Sequence, residues 1–118
     1  MGLVSLSAAD FADTVLVGGI VLVDVWTATR NDSRAFAPVL EAAARRHPDL
    51  VVARVDADAD PELIVAVGVR SIPTLMVFRD GVLVFAEPGV LPADSLELLI
   101  STVRSLDMAA VRDLFPGS

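Results

Sequence analysis

The chain has 118 residues, no cysteine, one histidine and a formal net charge of −7. At 54% hydrophobic it can bury a core without staples, so its composition excludes disorder. It also excludes disulfides, thiolate catalysis, cysteine-based zinc sites and histidine-cluster metal sites. The cations are scattered, which argues against a nucleic-acid interface. No run of about 20 apolar residues is available to span a membrane. Without an early Lys or Arg the N-terminus does not read as a signal peptide, and a cytoplasmic location is expected.

Gly2–Leu6 alternates weakly and predicts a short edge strand. Ser7 reads as a helix N-cap with Asp10 at the capping-box position, and Ala8, Phe11, Ala12 and Val15 fall on one helical face. Gly18-Gly19 ends that helix. Ile20–Trp26 is almost continuously apolar, as a central strand covered on both faces should be, yet it carries Asp24. A polar turn, Thr27–Asp32, leads into a helix over Asp32–Arg46 with Phe36, Val39, Leu40, Ala43 and Ala44 inward and Pro38 inside it. Asp32 or Ser33 is the expected cap.

Leu50–Val55 is a second apolar strand, with Arg54 in it. The acids Asp56, Asp58 and Asp60 form a solvated connector, and Asp60-Pro61 opens a short helix. Val69–Pro73 is a loop feeding a strand over Thr74–Phe78. Asp80-Gly81 predicts a tight hairpin to a return strand, Val82–Ala86. Pro92-Ala93-Asp94 opens the last helix. Its stripe of Leu96, Leu99, Ile100, Val103 and Leu106 is expected to continue through Met108, Val111 and Leu114 to Phe115, so that 107–118 extends it. The order β-α-β-α-β-α-β-β-α predicts an α/β fold. One domain over residues 1–118 would hold a mixed central sheet of about five strands flanked by about four helices.

Four blocks in this order resemble the thioredoxin family: Val21–Trp26, Phe36–Leu40 with its proline, Arg70–Leu75 with Ile72-Pro73, and Phe78–Gly81 followed by Pro88-Gly89. The resemblance implies the thioredoxin fold. It also implies a cis Ile72–Pro73 bond, and a surface where the backbone before that proline pairs with an extended peptide. The family's active-site motif, Trp-Cys-Gly-Pro-Cys, is matched here by Thr29-Arg30-Asn31-Asp32-Ser33. Both sulfurs are replaced, by Arg30 and Ser33. Disulfide exchange needs a thiolate and a resolving thiol, so the fold carries over and the dithiol chemistry does not. Ser33 offers no redox couple and has no nearby base.

Asp24 then has no thiol to serve. A buried carboxylate must be protonated with a raised pKa, or paired. Arg54 on the neighbouring strand is the expected partner and Arg30 a second candidate; a strongly raised pKa would count against pairing. Arg30 and Arg34 read either as an anion site at the helix start or as solvated cations. Trp26 reads as a packed aromatic. Ile72-Pro73 is kept either for the fold alone or for a peptide groove formed with Trp26, Thr29, Arg30, Ser71 and Gly89. The expected function is a protein- or peptide-binding, chaperone-like or regulatory module in redox homeostasis, with no cofactor or metal. The alternatives are an enzyme using Arg30 and Asp24 on an anionic substrate, and a decayed paralogue.

Overall fold

A computed structural model describes residues 2–114. The elements are β1 (Val4–Ser5), α1 (Ala8–Val15), β2 (Ile20–Trp26), α2 (Asn31–Arg46), β3 (Val51–Asp56), α3 (Pro61–Ala66), β4 (Thr74–Arg79), β5 (Val82–Pro88), α4 (Ala93–Arg104) and α5 (Met108–Asp113). The five strands form one mixed sheet in the order β1-β3-β2-β4-β5. β1, β3 and β2 run parallel; β4 and β5 join antiparallel. This is the mixed five-stranded α/β architecture expected from the sequence.

β2 is central because every residue from Ile20 to Val25 is buried, whichever way its side chain points. Alternation divides the strand between two cores. Ile20 and Leu22 pack with Phe36, Leu40, Leu75, Leu96 and Ile100. Val21, Val23 and Val25 pack on the other face with Phe11, Val15, Ala53, Val55 and Met76. By the same period Asp24 continues the Ile20–Leu22 row, towards α2. Among the described residues no helix is long and apolar enough to cross a membrane.

Several local expectations are corrected. The last helix does not run on to the C-terminus: α4 ends at Arg104, and Asp107 starts a separate α5 by accepting the Ala109 and Ala110 N–H groups at 3.1 and 3.3 Å. An aspartate three residues beyond a helix end competes for the backbone as a new N-cap, and here that wins over the apolar stripe. Met108 is buried and Leu114 exposed; Phe115 lies outside the described residues. α2 begins at Asn31 with Arg30 at the cap position, so neither Asp32 nor Ser33 is the cap. Ser7 occupies the N-cap of α1 but gives its hydroxyl to the Asp10 carboxylate at 3.1 Å, and Ala8 and Ala12 are exposed. Asp60 holds the α3 cap position without a side-chain bond. At the β4–β5 turn, Asp80 and Gly81 both have positive φ, 52° and 81°, the twist that a two-residue hairpin loop requires.

Candidate functional site

β2 delivers Trp26 and then Thr27 to one end of the sheet, where Thr27–Arg30 turns into α2. β4 runs antiparallel to β2 with Thr74 opposite Val25, so Pro73 arrives at the same end. β5 finishes there too, and the Gly89 N–H donates to the Pro73 carbonyl at 2.8 Å. Gly89 has φ +99°, a conformation that a side chain would strain. The Ile72–Pro73 bond is cis. The sheet thus gathers Trp26, Thr29, Arg30, Ser71, Ile72, Pro73 and Gly89 at the ends of β2, β4 and β5.

Beneath this rim lies a polar network. Asp24 has no exposed surface. Arg54, its register partner on β3, donates from Nε to Asp24 Oδ2 at 2.8 Å, with Nη2 also 2.8 Å from that oxygen. The same Nη2 donates to the Ser33 carbonyl at 2.8 Å. The guanidinium stacks over the Trp26 ring, 4.4 Å from its centroid. Asp24 Oδ1 has no hydrogen-bond partner. Burial therefore outweighs Arg54, and the Asp24 carboxyl is pushed up to about 6 while the guanidinium pulls the other way. Pairing and a raised pKa, set against each other on the sequence, coexist. One carboxylate oxygen is satisfied and the other is not, so attraction offsets only part of the desolvation.

Ser33 is equally buried, with its hydroxyl accepting the Thr27 N–H at 2.9 Å. The Thr27 hydroxyl donates to Asp58 Oδ2 at 2.8 Å and lies 3.0 Å from the Thr29 hydroxyl. Arg34 ties the turn from outside, donating to the Ala28 carbonyl and to Asn31 Oδ1. Arg30 is exposed and forks onto Asp32, at 3.1 Å from Nε and 3.0 Å from Nη2. That contact holds the Asp32 carboxyl below its ordinary value.

Arg30 is therefore not a partner of Asp24. Nor does it stand as a free cation at the helix start, because Asp32 neutralises it. Ser33 faces inward, with no base beside it. Sequence reasoning missed the roles of Thr27 and Asp58, and Arg34, read there as part of an anion site or as a solvated cation, instead braces the turn. Thr27 was signalled by its place directly after the strand. Asp58 was hidden in what read as a solvated acidic turn.

The degenerate motif thus sits at a strand-to-helix turn beside a cis-proline loop and above a buried acid. The thioredoxin family profile matches residues 2–102. The chain belongs to the thioredoxin family. A thioredoxin-2 relative in Streptomyces coelicolor is 46% identical over 92% of this chain and 81% of its own length. The Alicyclobacillus acidocaldarius thioredoxin is 38% identical over 84% of this chain and 95% of its own. A solved mutant thioredoxin from Halobacterium salinarum NRC-1 superposes with a TM-score of 0.82 at 29% identity, covering 89% of this chain and 93% of that one. Within this thioredoxin-like frame there is no cysteine, so the family's dithiol exchange has no sulfur to run on.

Proposed function

We propose that this thioredoxin relative is a peptide-binding module, chaperone-like or regulatory, which keeps the family's docking surface without its redox couple. The observation that carries this is the backbone of Ile72. Among the described residues neither its N–H nor its C=O enters a backbone hydrogen bond. It is half-buried and precedes Pro73, whose carbonyl accepts the Gly89 N–H. An unpaired backbone just before β4 can receive an extended chain by strand addition, which needs no thiol. A cytoplasmic location belongs to the same proposal.

The test is a titration of the full chain with an extended peptide, repeated with Ile72→Arg, which places a bulky charged side chain at that backbone. Binding to the native chain that is lost in the variant is the expected result. Equal binding by both would place docking elsewhere and overturn the proposal. The reading as an enzyme acting on an anion is less well supported, because Arg30 is neutralised by Asp32 and Asp24 has no exposed surface.

A further inference from the structure

Beside the Ile72 backbone lies a second feature that the docking reading does not use. The chain leaving α3 and the outer strand β5 stand apart, and a groove of about 270 Å³ opens between them. It is lined by Val69, Leu83 and Ala86, with the fully buried Met76 beneath them. Leu83 is 42% exposed, a large apolar side chain left open to water on an edge strand. One end of the groove is Ser71, the residue before Ile72.

Arg70 is the only charged side chain lining this groove. It is exposed, and none of the ion pairs among the described residues uses it. Its backbone, like that of Ile72, enters no backbone hydrogen bond among them. In a chain of net charge −7 an unneutralised guanidinium beside an apolar slot is a local reversal of field. It attracts an acid and repels the basic sequences that the rest of the surface would favour.

We propose that this groove sets the partner's sequence: an extended peptide placing an aliphatic side chain against Leu83 and Val69 and an adjacent Asp or Glu against Arg70. The inference rests on the peptide-docking reading above and adds the chemistry of the partner. Strand addition at Ile72 supplies affinity from backbone bonds that every peptide has, and discrimination must come from a side-chain pocket.

Three synthetic peptides test it, measured by anisotropy against the full-length chain: leucine flanked by aspartates, leucine flanked by lysines, and serine flanked by aspartates. The leucine–aspartate peptide should bind about 2- to 5-fold tighter than the leucine–lysine peptide, the ratio an exposed ion pair gives, and the gap should shrink with salt. Arg70→Glu should reverse that order. Ala86→Tyr, which fills the groove from an exposed position, should weaken the leucine peptides and leave the serine peptide unchanged. If all three peptides bind alike, or Arg70→Glu leaves the order intact, while Ile72→Arg still removes binding, the groove assignment falls and backbone docking stands. If Ile72→Arg is without effect, or no peptide binds, both fall.

Discussion

Arg54 makes three contacts with one guanidinium: it neutralises Asp24, holds the Ser33 carbonyl and covers the Trp26 ring. The Asp24 carboxyl, raised from 3.8 to about 6, gives the clearest residue-scale prediction. Between those values the unfolded chain has lost this proton and the folded chain retains it. The stability that Asp24 contributes is therefore full below about pH 4 and is lost as pH rises through 6, by roughly 3 kcal/mol at 1.36 kcal/mol per pH unit. The lowered carboxyls of Asp32, Asp49 and Glu97 have the opposite sign, their contributions fading in acid. The difference between native and Asp24→Asn urea stabilities, measured from pH 3.5 to 8, isolates the Asp24 term. It should narrow in the native chain's disfavour as pH rises and then level off; a difference independent of pH would contradict the assignment. Ser33→Ala strips the buried Thr27 N–H of its acceptor and should cost about 1–3 kcal/mol in the same assay. A neutral result would mean that this bond does not hold the turn. The Asp24–Arg54 pairing could be read in the sequence, because an acid in an apolar strand demands a partner. The Thr27–Ser33–Asp58 links could not, since small hydroxyls and a surface-like acid carry no periodic signal.

At the scale of the elements, the strongly patterned ones could be read and the ends could not. β2 runs over Ile20–Trp26, as its apolar run around Asp24 predicts, and the Asp80-Gly81 turn follows from the need for two positive φ values. The end of α4 was masked because the apolar spacing carries on through Leu106 and Met108, while the deciding group is a single aspartate. Asp107→Ala should therefore cost about 1 kcal/mol, the usual value of an N-cap. It should show first as faster amide exchange across Met108–Asp113; unchanged exchange there would mean that the cap is not what holds α5. Gly81→Ala should cost about 1–2 kcal/mol, because an L side chain is strained at φ +81°; space is not the cause, since the added Cβ would make only ordinary contacts with Leu16. Thermal unfolding measures this directly, and a stability equal to that of the native chain would rule out left-handed strain at the turn.

For the whole molecule, the family's scaffold has been retained while the place of its chemistry is occupied by a buried polar network. Four sequence blocks in order were enough to identify the scaffold. The network became visible only when β2, α2 and β3 were brought together, because Arg54 and Ser33 are distant in the chain and meet across two elements. Peptide docking without sulfur is the property from which the proposed function follows. The most direct measurement follows backbone amide shifts of the native chain as an extended peptide is added. The perturbed amides should cluster at Thr29–Arg30, Ser71–Ile72 and Gly89, with the Trp26 indole moving alongside them. Saturating peptide that leaves these signals in place, or moves only amides at the opposite end of the sheet, would contradict it.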